Sequence, residues 1–92
     1  LTGPYKKARM EISITITHRV PAERAKRLLL AAANYPDIVL KTPEPTVSIS
    51  NIDGNGVTYL ILFWVATHEM SPYYGKSLVY DALIKQLNAA GI

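Results

Sequence analysis

The chain has 92 residues, 49% of them hydrophobic and 18% charged, which fits one globular domain with a single core and excludes a disordered segment. Ten Lys and Arg against seven Asp and Glu leave a net charge of +3, which is mild and lacks the dense, aromatic-interleaved stripe of a nucleic-acid footprint. With no cysteine, disulfides, thiolate nucleophiles and Cys-ligated zinc are excluded, and no apolar run approaches the roughly 20 residues of a spanning helix.

The first nine residues, 1–9, are polar and turn-rich and read as a linker or arm from an upstream domain, with residues 10–92 forming the domain proper. Leu1 is not an initiator residue, so a processed chain or a piece of a longer one is expected. The basic residues Lys6, Lys7 and Arg9 belong to this arm, and Arg19, Arg24, Lys26 and Arg27 form a second cluster on a solvated helix face.

From Met10 the pattern alternates strictly. Ile12, Ile14 and Ile16 take one face, and Glu11, Ser13, Thr15 and Thr17 the other, as in a half-buried strand. Pro21 suits a helix start. Ala25, Leu28, Leu29, Ala32 and Ala33 then recur at helical spacing, with Glu23, Arg24, Lys26 and Arg27 outside. Pro36 is expected to push Tyr35 out of the α region and so end that helix, and residues 35–45, with three prolines, read as a loop.

Residues 46–52 alternate again, with Val47 and Ile49 inward. Asp53-Gly54-Asn55-Gly56 then predicts a tight hairpin turn built on positive φ angles. The strand after it, 57–66, is apolar on both faces: Tyr59, Ile61, Phe63 and Val65 point one way, Leu60, Leu62 and Trp64 the other. Ser71 with Pro72 reads as an N-cap and first helical residue. Leu78, Val79, Ala82, Leu83, Gln86, Leu87 and Ala90 make the inner stripe of a second helix, closed by Gly91 and Ile92.

This order, strand–helix–strand–strand–helix, predicts an α+β two-layer sandwich of the ferredoxin-like βαββα kind. A right-handed crossover through the first helix makes the next strand, or its hairpin partner, parallel to strand one. The expectation is a mixed sheet with strand three central, strand two at an edge and both helices on one face. The full βαββαβ pattern has one further strand, expected beyond Ile92.

Little in the chain suggests catalysis. His18 closes strand one and His68 follows strand three; if those strands run parallel, the two meet, with Glu69 nearby. They are weak metal candidates, because no third ligand and no HxH, HxxxH or HExxH spacing accompanies them. No GxSxG elbow is present, and the glycines of 53–56 lead into a strand rather than opening a phosphate-binding helix. The acidic residues are scattered. Tyr73, Tyr74 and Tyr80 read as core-edge packing of the second helix. No aromatic accompanies the Ser and Thr face of strand one, which counts against RNA. The chain therefore reads as non-enzymatic, with no cofactor and no nucleic-acid partner.

The informative residues lie on strand three. Strands one and two each offer one apolar face, and the helices must cover those. Alternation alone leaves open which set of strand three faces out. Leu60, Leu62 and Trp64 are assigned to the opposite face because Ile61 and Phe63 suit the helix-facing core. There roughly 1.5–3 kcal/mol apiece is forgone unless a neighbour, the arm or a further strand covers them. They are the predicted interface residues.

Several segments together resemble a known family: Met10–Ile16, the helix of residues 23–33, Lys41-Thr42-Pro43-Glu44-Pro45 leading into strand two, Phe63-Trp64-Val65, and the closing Asn88-Ala89-Ala90-Gly91-Ile92. This ordered set resembles the C-terminal soluble domain of small-conductance mechanosensitive channels, the MscS family, over about residues 10–92. The resemblance implies the cytoplasmic α/β part of a channel subunit at the bacterial inner membrane, with membrane helices and a β domain upstream in the same chain. It also implies a homo-oligomeric ring, typically heptameric, whose soluble domains wall a vestibule, with Arg24, Lys26 and Arg27 as vestibule-facing charge. In the family a further segment, beyond the position of Ile92, closes the ring. Two other readings share the fold: an ACT-like domain that binds a small regulatory ligand, and a metal-sensing domain of a cation transporter relying on His18 and His68.

Overall fold

The computed structural model describes residues 6–68 and 70–92. The element order is β1 (Lys7–Ile16), α1 (Ala22–Asn34), β2 (Thr46–Asp53), β3 (Gly56–Ala66) and α2 (Pro72–Ala89). The three strands form one sheet in the order β1-β3-β2. The chain is thus a small α+β domain with a three-stranded sheet and two helices, β3 central as expected.

The sheet is not mixed. β3 runs antiparallel to β1 and to β2, pairing Ile12 with Ile61 on one side and Val47 with Ile61 on the other. β2 does run parallel to β1, as the crossover demands, but β3 lies between them, so no parallel pair of neighbours exists. The alternation of side chains is the same for either strand direction, which is why the sequence pattern did not separate the two cases.

The first strand also begins before Met10, the start expected from the sequence. Lys7, Ala8 and Arg9 pair with Ala66, Val65 and Trp64, and the Thr67 N–H donates to the Lys6 carbonyl at 3.0 Å. A third of the expected arm, residues 7–9, is therefore strand. Residues 1–5 lie outside the described residues.

One face of the sheet carries the core. Ile12 and Ile16 of β1 and Tyr59, Ile61, Phe63 and Val65 of β3 are buried against Ala25, Leu29, Ala32 and Ala33 of α1 and Val79, Ala82 and Leu83 of α2. Both helices sit on this face. The small alanines of α1 let that helix approach closely, and Gly75 does the same for α2 against Val65. Coverage thins toward β2, where Ile49 and Ile52 remain 41% and 62% exposed.

The segment 35–45 contributes more than a connection. Ile38 and Val39 are buried in the core, Val39 bridges to Val65, and the Leu40 N–H donates to the Trp64 carbonyl at 2.9 Å. The apolar triplet Ile38-Val39-Leu40 was the available signal for this short fourth rib of the core. The Thr42–Pro43 bond is cis.

The hairpin differs from expectation in its backbone. Asp53 pairs with Gly56, leaving Gly54 and Asn55 as a two-residue loop, yet neither has a positive φ. The turn is held instead by the Asp53 carboxylate, which accepts from the Asn55 N–H at 2.8 Å. Gly56 takes the unusual conformation, φ 150°, where a Cβ would collide with the Ile16 carbonyl.

The ends of α2 follow the sequence closely. Ser71 accepts from the Tyr73 N–H at 3.2 Å with Pro72 in the first turn. At the other end Gly91 has φ 77°, the Gly91 N–H donates to Asn88 and the Ile92 N–H to Leu87, which is the Schellman arrangement. Ile92 then packs against the core.

Candidate interaction surface

Because β3 is central, the face opposite the helices is a three-strand surface with an apolar ridge along its middle. Leu60, Leu62 and Trp64 are half-buried there, flanked in register by Ser13, Glu11 and Arg9 of β1, while Ser48 and Thr46 of β2 flank Leu60 and Leu62. Below them Thr15 and Thr58 share a hydroxyl hydrogen bond at 2.8 Å. Among the described residues no helix or strand lies over this face. The structure thus places all three of the expected interface side chains together, on the side the sequence reading chose.

Charge decorates one end of the ridge. The Lys7 ammonium lies 5.4 Å from the centre of the Trp64 ring, a cation–π distance. Arg9 and Glu11 form an ion pair at 3.7 Å with both side chains 55% exposed, so it contributes little to stability by itself. A plus–minus pair therefore sits along the rim of the apolar ridge.

The histidines are not brought together. β1 and β3 are antiparallel, so His18 follows the last residue of β1 at one end of the sheet and His68 follows β3 at the other. Ten paired residues at about 3.3 Å each separate those ends. His18 instead meets the Asp53 carbonyl of the hairpin through Nε2. Among the described residues no group of three potential metal ligands is close enough to hold an ion. Glu69 lies outside the described residues.

The cationic residues of α1 are divided. Arg24 is exposed and donates to the Ala90 carbonyl at 3.3 Å, satisfying the C-terminal end of α2. Arg27 is exposed and Lys26 half-buried.

The tyrosines of α2 are not core-edge packing. Tyr73, Tyr74 and Tyr80 are 80%, 56% and 45% exposed, and Ile84 joins them at 58%. They fall outside the stripe of Val79, Ala82 and Leu83, so α2 carries apolar side chains on its outer face as well as its inner one. Reading only the inner stripe concealed this; the spacing of Tyr73, Tyr80 and Ile84, seven and four residues apart, was the signal. A cleft of about 330 Å³ runs between the end of α1 and α2, with Ile38, Met70, Leu78 and Ala82 as its apolar floor and Asp37, Asp81 and Lys85 at its margin.

Fold and surface together define a two-layer α+β domain with one open sheet face. No family model and no curated protein matches the chain. Among the described residues no helix is long and apolar enough to cross a membrane.

Proposed function

We propose that this chain is the soluble C-terminal domain of a small-conductance mechanosensitive ion channel, contributing subunit contacts and vestibule wall. The reading has two supports. The first is the ordered set of segments that resembles the MscS family, from the alternating strand at Met10 to the closing Ala-Gly-Ile. The second is the observation that carries it: the half-buried ridge of Leu60, Leu62 and Trp64 on a sheet face that no described element covers. In this reading the domain is the ferredoxin-like unit of a homo-oligomeric ring, heptamer-like in the full channel, on the cytoplasmic side of the bacterial inner membrane. Its role is passive. It catalyses nothing and shapes the assembly, while membrane helices upstream in the same chain sense tension. Arg24, Lys26 and Arg27 would bias ion traffic where their helix face lines the vestibule.

Two measurements test the reading. The reading frame upstream of Leu1 is expected to encode apolar spans of about 20 residues, and a frame without them overturns the channel assignment. Sedimentation of the chain is expected to show self-association that Trp64→Glu weakens. A strictly monomeric wild type with a fully solvent-exposed Trp64 emission would remove the assembly role.

The cleft beside Tyr35 favours a second reading, an ACT-like domain that binds a small regulatory ligand. A small amphipathic ligand that raises the melting temperature in a concentration-dependent way would support it.

A further inference from the structure

We propose that the outer edge of β1, beneath an overhanging flank of α2, receives an extended peptide from a partner protein. The peptide is a strand of alternating apolar and polar residues with acidic side chains toward its C-terminus. The site is the rim of the sheet and not its open face, so it stands apart from the channel reading.

The edge is open and regular. Among the described residues no strand lies beyond β1, and its ten residues pair with β3 without a bulge. β2, the other rim, is interrupted where the register shifts between Ile49 and Asn51. A bulge blunts an edge against further pairing, and β1 has none. The Lys6 carbonyl accepts from the Thr67 N–H, so the backbone groups of Lys6 turn toward β3. By alternation Lys7, Arg9, Glu11, Ser13 and Thr15 aim their N–H and C=O groups outward, away from the sheet.

The second helix roofs this edge. α1 contacts β2 and β3, whereas α2 contacts β1 and β3. Packed helices stand about 8–10 Å apart, twice the strand spacing of about 4.8 Å. Over a sheet centred on β3, the axis of α2 therefore falls above β1 or just outside it. The Leu78-Ala82-Lys85 flank of α2 borders the cleft with α1. The opposite flank, Tyr73, Tyr80 and Leu87 at seven-residue spacing, overhangs the rim. Gly75 lies against Val65, the register partner of Ala8, so Tyr80, about 7.5 Å further along the helix, comes level with Met10. Met10 and Ile14 point to the helix side yet are only half-buried, as is Leu87, and Tyr80 is 45% exposed. A strand laid in this slot covers all four.

Geometry and charge choose the occupant. Pairing β1 with β1 of a second copy brings two α2 axes within about 5 Å, half the distance that packed helices need. A lone strand brings no helix with it and fits. Lys6, Lys7 and Arg9 stand at the start of β1, with Glu11 as the carboxylate of that strand, and Lys76 of α2 follows Gly75, level with Ala8. An antiparallel strand, the sense of every pair in this sheet, meets these cations with its C-terminal half, where acidic side chains pair with them.

The test titrates the isotope-labelled chain with a synthetic peptide of about eight residues, Val alternating with Thr and two glutamates near the C-terminus. Amide shifts are expected on Arg9, Glu11, Ser13 and Tyr80. Lysines in place of the glutamates are expected to weaken binding at least about tenfold. Ser13→Pro deletes an outward N–H and leaves the ladder to β3 whole. It is expected to stay folded by circular dichroism and to bind at least about tenfold more weakly. Tyr80→Ser opens the roof and makes the same test where Ser13→Pro misfolds. Leu62→Ser, on the open face, is expected to bind like wild type. Saturating peptide that shifts no β1 amide overturns the proposal, as does binding that Leu62→Ser abolishes and Ser13→Pro leaves intact. A peptide-free dimer that Ser13→Pro dissociates gives the edge to a second copy and overturns the partner assignment. A longer form of the chain whose added residues protect the β1 amides from exchange overturns it too, because the strand is then supplied in cis.

Discussion

Gly75 of α2 lies against Val65 of β3 so closely that a Cβ on the glycine would stand 3.1 Å from Val65 Cγ1. The contact sets the distance between the second helix and the central strand, beside Ile38 from the loop. Gly75→Ala tightens this contact but recovers about 1 kcal/mol of helix propensity, so it is expected to be close to neutral. Gly75→Leu has no such room and is expected to destabilise by about 1–3 kcal/mol. Urea denaturation of the two variants separates these outcomes, and equal midpoints would mean that α2 does not seat on Val65.

The hairpin glycines should behave unequally. Gly56 faces the Ile16 carbonyl at φ 150°, whereas Gly54 has nothing within 4 Å and no positive φ. Gly56→Ala is expected to lose about 1–3 kcal/mol. Gly54→Ala is expected to stay within about 0.5 kcal/mol of wild type. A turn built on positive φ at Gly54 would give a large loss there too.

Neighbouring residues of β3 report the two faces of the sheet. Phe63 is wholly buried under the helices, and Leu62 is half-buried on the open side. Phe63→Ala is expected to destabilise by about 3–5 kcal/mol, enough to unfold much of a marginally stable domain. Leu62→Ser is expected to change the stability of the monomer by about 1 kcal/mol or less. Thermal melts at low protein concentration, where assembly does not contribute, read the difference.

The start of α2 depends on one side chain. Ser71 accepts the Tyr73 N–H, and no acidic residue supports the first turn. Ser71→Ala is expected to cost about 1 kcal/mol, and Ser71→Asp to keep the cap and add a favourable charge at the helix N-terminus. Amide exchange in the first turn of α2 should quicken in the alanine variant alone.

Much of this was legible along the chain because its signals are local. Alternation located β1 and β2, the three–four spacing located both helices, and Ser71-Pro72 and Gly91-Ile92 marked the ends of α2 to the residue. That one apolar face of β3 stays uncovered was legible because β1 and β2 offer one apolar face each, whereas which alternating set forms it was decided by the burial of Tyr59, Ile61, Phe63 and Val65 under the helices. Lys7–Arg9 read as arm although they continue the alternation, with Lys7 and Arg9 on the face of Glu11 and Ala8 on the face of Met10 and Ile12. Two cationic residues beside a turn-rich start read as solvated chain until Ala66, Val65 and Trp64 stand opposite them.

The sequence by itself determined the element order and the α+β class, and narrowed the open face of β3 to one of two alternating sets, because side-chain periodicity and capping chemistry depend only on neighbours in the chain. Only the tertiary structure decided that β3 runs antiparallel to β1. That direction sends His18 and His68 to opposite ends of the sheet, while the seating of α2 turns Tyr73, Tyr80 and Ile84 outward. The physical reason is one degeneracy met twice. A strand alternates identically in either direction, and a helix with apolar residues all round can present either side, so only packing against the rest of the molecule chooses.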